Sequence, residues 1–416
     1  MRCVNTGEYP MQGLLKLALR NIFRHRGRTA MTLASIVFGV VALILAGGFI
    51  EDTIIETGEA TIRSNTGHVQ VARRGYWEYG SQQPERYLSD DVEDLRRQIA
   101  AIDGVADVMF RLSFSGLLGN GRSDWSIIGE GVEPEREARL ASYLTVVSGR
   151  RLTAQDRFGM MIGAGVAKAL KLGAGDTASL LVSTPGGATN LLDFEVVGVF
   201  QTFSKDYDAR AVRISLAAAQ ELLATPGAQL GVVLLKDTAA TPGVADTLRQ
   251  RLTDKGFEVR TWQDLDLFYN QTVTLYRQQF GFLTGIILVM LLLSVSNTVN
   301  IGIFERVSEF GTMMALGNRA ARVFGLIVTE SVCLGLIGSL LGVVIGTALA
   351  WAISQVGIAM PPPPNADQGY VSKVLIVPGV IVLAFATGLL AAVVASLLPA
   401  RRVSRMQIAE ALRQSV

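Results

Sequence analysis

TAMTLASIVFGVVALILAGGFI, residues 29–50, contains no charged side chain. A helix rises about 1.5 Å per residue, so about 20 apolar residues cross a hydrocarbon core of about 30 Å. The stretch is therefore long enough to span a bilayer once. A basic segment precedes it, as in a signal peptide, but the run exceeds a signal h-region. No small-x-small cleavage site leads into a polar start. It is expected to be a retained anchor.

Three further runs share its character: Phe280–Ile303, Val323–Val356 and Val374–Leu398. The second and fourth runs are uncharged, and the third carries one charge, Glu330. The third is longer than one crossing needs, so tilt, a kink at its glycines or projection from the membrane is expected. The 416-residue chain is 50% hydrophobic and 18% charged, which places apolar residues in lipid-facing segments. A net charge of +2 offers no basic field for nucleic acid. Two cysteines, Cys3 and Cys333, and two histidines exclude a disulfide framework and a histidine-rich metal site.

Lysine and arginine placement sets the orientation. Lys16, Arg20, Arg24, Arg26 and Arg28 precede the first run. Arg306, Arg319 and Arg322 lie between the second and third, and Arg401, Arg402, Arg405 and Arg413 follow the fourth. Both termini and the middle loop are thus expected in the cytoplasm. The expected organisation is a cytoplasmic N-terminus (1–28), helix 1 (29–50), an outer domain (51–276), helix 2 (277–304) and a cytoplasmic loop (305–322). Helix 3 (323–356), an outer loop (357–373), helix 4 (374–398) and a cytoplasmic C-terminus (399–416) complete it. Leu14, Leu15, Leu17, Ala18, Ile22 and Phe23 alternate with basic residues, which predicts an amphipathic helix on the inner membrane surface. Pro361–Pro364 begin a stiff link before the fourth span.

The outer region reads as α+β. Val92, Leu95, Ile99 and Ile102 have helical spacing after Asp91. GMMIGAGVAKALKLGAGDTASLLV (159–182) reads as strand, helix, glycine turn and strand. FEVVGVFQTF (194–203) and LGVVLLKD (230–237) read as buried strands, and a helix near 244–255 ends at Gly256 before another strand. The stretch 112–215 is strand-rich and is expected to form a second subdomain.

Catalytic motifs are absent from the sequence: no G-x-x-x-x-G-K-[ST], H-E-x-x-H, C-x-x-C or G-x-S-x-G occurs. Asp206 and Asp208 read as solvated turn residues rather than cation ligands. Glu330 is the one intramembrane charge, a functional candidate by default, but it lies about two turns into the span, where a structural role near the inner interface explains it equally well. Glu305, Arg306 and Glu309 share one side of a helix end in the cytoplasmic loop, which Gly311 is expected to interrupt. Met313, Met314 and Leu316 follow, then the Gly317–Asn318 turn. Exposed apolar residues here suit docking, and methionine suits adaptable contacts. Packing against the membrane interface explains Met314 and Leu316 equally well from periodicity. Gly338, Gly342 and Gly346 form a small-x-x-x-small stripe in the third span. Packing within the chain is the default role for such a stripe, and a dimer seam is the alternative.

Three segments resemble the permease subunits of type VII ABC transporters, the group of MacB, the lipoprotein-releasing LolC and LolE, and FtsX. They are LALRNIFRHRGRTAMTLASIVFGV (17–40), ERVSEFGTMMALGNRAARVFGLIVTESVCLGLIGSLLGVVIG (305–346) and LLPARRVSRMQIAEALR (397–413). TGHVQVARRGYWE (66–78) is similar to the lipoprotein-releasing branch.

The resemblance implies an α-helical membrane protein of four transmembrane helices, with a large two-part α+β extracytoplasmic domain inserted between helices 1 and 2. It implies no catalytic site and no cofactor in this chain, ATP and Mg being bound by a separate ATPase subunit. A second permease copy, the same or different, membrane lipids and a periplasmic carrier or adaptor are the further implied partners. Glu305, Arg306, Glu309, Phe310, Gly311, Met314, Leu316 and Gly317 become the coupling residues that dock on the ATPase. On that basis Glu309→Lys or Gly311→Pro is expected to abolish coupled hydrolysis. The implied function is extraction or export of a lipoprotein or other hydrophobic envelope substrate from the bacterial inner membrane. An FtsX-like activator of a wall hydrolase is the alternative, against which the size of the outer domain argues.

Overall fold

The computed structural model describes residues 20, 24, 26–80, 84–140, 144–184, 186–202, 204–361 and 369–406. The expected surface helix around Leu14–Phe23 and most of the proline link lie outside them. Four long helices are formed, Arg26–Thr61, Leu267–Phe304, Ala320–Val356 and Pro378–Ser404. All four are long and apolar enough to cross a membrane. The chain divides into two compact units. One holds Met1–Ile54, Val273–Ile358 and Val371–Val416; the other holds Ile55–Thr272 and Ala359–Tyr370.

Small residues set the packing of the first unit. A Cβ added at Gly342 would lie 2.7 Å from Val40, and one at Gly338 would lie 3.0 Å from Ile36. Gly346 faces Ile44 in the same way. The glycine stripe is thus occupied by the first long helix, whose backbone it admits closely. Gly388 of the fourth helix approaches Ser339 of the third. Ser294 on the second helix donates to Ser35 on the first at 2.9 Å. Asp52 clasps the segment before the fourth helix, accepting from Ser372 Oγ at 2.8 Å and the Lys373 N–H at 2.7 Å.

Helix boundaries differ from the sequence expectation: the first helix continues to Thr61 rather than ending at 50, and the fourth runs Pro378–Ser404 rather than 374–398. The second helix starts at Leu267 rather than 277, because Asp266 caps it by accepting from the Tyr269 N–H at 2.9 Å. Residues 267–277, which include Asn270, Gln271, Thr272, Thr274 and Arg277, therefore stay helical without forming a continuous apolar run. The third helix is not exceptional in length: it has 37 residues, against 36 in the first and 38 in the second.

Among the described residues, the main sheet of the second unit has ten strands: β1 (Val69–Arg73), β2 (Val105–Gly119), β3 (Asp124–Val132), β4 (Thr145–Gly149), β5 (Gly159–Gly163), β6 (Thr177–Ser183), β7 (Thr189–Gln201), β8 (Ala211–Ser215), β9 (Leu230–Leu235) and β10 (Phe257–Thr261). Their order is β10-β1-β9-β2-β3-β8-β5-β7-β4, and β6 pairs with both β2 and β7. That extra strand closes a ring, β2-β3-β8-β5-β7-β6, which leaves those six strands without a free edge within it. Residues 112–215 supply the whole ring.

Inside the ring lie Leu112, Phe114, Leu118, Met160, Phe194 and Ile214, with the helices Ala164–Leu170 and Leu216–Leu223 packed on them. The other half is an open antiparallel sheet, β10-β1-β9-β2. It is covered by Val92–Ala100 and Thr241–Leu252 through Leu95, Ile99, Leu248 and Leu252. β2 belongs to both halves: residues 105–111 pair with β9, and residues 112–119 pair with β3.

Candidate functional site

The second long helix ends at Phe304, the chain turns through Glu305 and Arg306, and a short helix runs Val307–Ala315. Gly311 lies inside this helix and does not interrupt it. Val307, Phe310, Gly311 and Met314 are buried at i, i+3, i+4 and i+7, so one face packs on Ile303, Val323, Leu326, Ala400 and Val403. Burial of that face outweighs the glycine's helix penalty of about 1 kcal/mol. The helix stops at Gly317, whose φ of +90° suits a residue without a Cβ. Its N–H donates to the Met314 carbonyl and that of Asn318 to the Met313 carbonyl, which satisfies the last turn.

Arg306 anchors the start of the helix. It is buried, and its Nη1 donates to both oxygens of Glu330 at 3.1 and 3.2 Å. Its Nε donates to Glu309 at 3.1 Å, and its guanidinium lies 5.1 Å from the centre of the Phe310 ring. Glu309 also pairs with Arg24 at 3.5 Å, an exposed contact of little energetic weight. Glu330, the charge within the third run, is therefore neutralised from the short helix. Thr32, Thr298 and Ser331 line a small polar cavity beside the pair.

The sequence candidates separate by exposure. Arg306, Phe310, Gly311 and Met314 hold the helix in place. Glu305, Leu316 and Gly317 face outward, with Leu316 81% exposed, while Glu309 is half-buried. Of the two other acids, Asp206 is exposed as expected. Asp208 is buried, because it accepts from the Thr202 N–H at 2.9 Å and its hydroxyl at 2.8 Å, closing the turn after β7.

A buried ion network in the α+β unit escaped the sequence reading. Arg111 on β2 donates to Glu137 at 2.5 and 3.2 Å, and Arg213 on β8 donates to Glu130 at 3.1 Å. Tyr207 donates to the same Glu130 oxygen at 2.6 Å. Burial works against each charge, yet the pairing wins. Both guanidinium pKa values are raised, by Glu137 and Glu130 around Arg111 and by Tyr207 and Glu130 around Arg213. Arg111 and Arg213 hold the Glu130 carboxyl below its ordinary value. Burial also raises the Tyr207 phenol, which keeps it a donor. The available signal was a charge inside an apolar strand: Arg111 in VADVMFRLSF and Arg213 in AVRIS.

Residues 29–251 match the MacB-like periplasmic core domain, and residues 281–408 match the FtsX-like permease C-terminal domain. The chain belongs to this permease family. Among its relatives is an ABC transporter permease of Methanocaldococcus jannaschii, 23% identical over 96% of this chain and 97% of that one. The macrolide export ATP-binding/permease protein MacB of Bdellovibrio bacteriovorus is 24% identical over 98% of this chain, which spans only 61% of that protein. LolC of Neisseria meningitidis, a lipoprotein-releasing system transmembrane protein, is 24% identical over 73% of this chain and 76% of its own length. The chain is a multi-pass membrane permease of the type VII ABC transporter group.

Proposed function

We propose that this permease docks a separate ATPase through the exposed end of the Val307–Ala315 helix. The ATPase binds ATP and Mg, and its movement drives the α+β unit. That unit, inserted between the first and second spans, extracts or exports a lipoprotein or other hydrophobic envelope substrate. The working complex pairs two permease copies in the bacterial inner membrane, with both termini cytoplasmic.

One observation carries this reading. The short helix buries a complete face and is anchored at its start by a charge pair, so it cannot swivel freely, yet its C-terminal end presents Leu316, 81% exposed, next to the exposed Gly317. A rigid mount with an exposed apolar tip is what a docking element requires. Leu316→Asp should reduce ATPase recovered with the affinity-purified permease at least tenfold while leaving its melting temperature unchanged. Undiminished recovery would reject the docking assignment. Gly311→Pro is a poor test, because proline inside the helix costs about 3 kcal/mol and disrupts the mount itself.

A further inference from the structure

After Thr61 the first long helix widens into a π-helical turn, Ile62–Thr66, and then enters β1. Such turns are uncommon and often sit at functional positions. Here the turn places Asn65 against both arginines of the buried network. Arg111 Nη1 donates to the Asn65 backbone carbonyl at 2.6 Å and to its side-chain oxygen at 2.7 Å. Arg213 Nη2 donates to that same side-chain oxygen at 3.0 Å. Guanidinium groups only donate, so these contacts fix which way the Asn65 amide faces.

The two arginines come from different strands. Arg111 sits on β2 where that strand passes from the open sheet to the ring, and Arg213 sits on β8 within the ring. Asn65 therefore ties the end of the helix to both halves through a single oxygen. It also adds no charge. Two guanidiniums face two carboxylates, Glu130 and Glu137, so the network is neutral without Asn65. Removing a carboxylate would strand a buried cation; removing the Asn65 side chain cuts only the tie.

We propose that Asn65 is the positioning residue through which the first long helix moves the α+β unit as one body. This rests on the proposed ATP-driven movement of that unit. The helix is a poor lever unless its last turn is fixed to what it drives, and Asn65 is half-buried at that turn with three hydrogen bonds to the network.

The test uses the full chain in lipid nanodiscs with the ATPase that copurifies with it, Cys3 and Cys333 replaced by serine. Spin labels are placed at Met31→Cys and Arg122→Cys, and their separation is measured with and without ATP. The unaltered Asn65 chain should show an ATP-dependent shift. Asn65→Ala should show less than half of it, with ATP hydrolysis and the melting temperature of the α+β unit retained. Asn65→Asp, which keeps the acceptor oxygen, should restore the shift. A full shift in Asn65→Ala would overturn the inference, and so would loss of shift accompanied by a melted α+β unit, which would mark a purely structural role. No shift with Asn65 intact would instead overturn the transport reading beneath it.

Discussion

At the scale of single residues, the buried pairs set the most specific expectations. Arg306 and Glu330 neutralise each other in a partly buried setting, and removal of one partner of such a pair costs about 3–5 kcal/mol. Arg306→Ala should therefore lower the denaturation midpoint of the membrane unit sharply. Combining Arg306→Ala with Glu330→Ala should recover much of that loss. Equal loss in the single and double variants would show that the pair is not what holds the helix. His68 makes a second expectation. Its Nδ1 accepts from the Leu235 N–H at 3.2 Å, and its Nε2–H donates to Thr238 at 3.0 Å, whose hydroxyl donates on to Glu59. Burial lowers its pKa to about 4, from an ordinary value near 6.5. The unfolded chain then takes up a proton that the folded chain refuses as pH falls below about 6.5. Stability is unaffected above that pH and declines until about pH 4, by about 2 kcal/mol at pH 5. His68→Gln should flatten this slope in denaturant titrations at pH 7.5 and pH 5.

At the scale of elements, close approach of helices separates the glycines that pack from those that do not. A Cβ at Gly342 meets Val40, whereas nothing described lies within 4 Å of Gly285. Gly342→Leu overpacks the contact between the first and third long helices at a cost of about 1–3 kcal/mol or more. Gly285→Leu should leave the monodisperse peak in size-exclusion chromatography intact, and Gly342→Leu should reduce it. The four membrane runs were legible because lipid demands about 20 apolar residues, a signal no globular core repeats. The helix through Gly311 was not, since its glycine is outvoted by the buried face of Val307, Phe310 and Met314. Nor was the start of the second long helix, which a single capping aspartate decides. Strands β5, β6, β7 and β9 were legible from their apolar residues, and β10 from its place after the helix stop at Gly256. Their closure into a ring depends on the pairing of Leu117 with Leu181 and its neighbours, which no local pattern records.

At the scale of the whole molecule, charge placement predicts topology. A cysteine at Ser183, exposed at the end of β6 in the α+β unit, should react with an impermeant maleimide added outside intact cells. One at Arg405 should react only after permeabilisation. Equal labelling of both would contradict the assigned orientation. The proposed coupling residues and the network residues differ in how they could be read. The former cluster within 305–317 and carry a local signature. The network draws on positions 65, 111, 130, 137 and 213, so only the folded sheet brings it together.

The sharing of β2 also governs how the protein can be made. β1 is completed by residue 73, yet its partners β9 and β10 lie at 230–235 and 257–261. At about 5–20 residues per second, roughly 10–30 s of synthesis separate β1 from β9. The ring likewise waits for β8 at 211–215 before its parallel pairing with β3 can form. On the proposed orientation, residues through 201 must be delivered across the membrane before β4, β6 and β7 have their partners, and residues through 261 before β1 has both of its own. During that interval β1 and the first half of β2 present bare apolar edges, a state that invites mispairing between nascent chains. Production of this protein should accordingly be limited by holdase capacity on the delivered side, more than by the insertion of its four apolar helices.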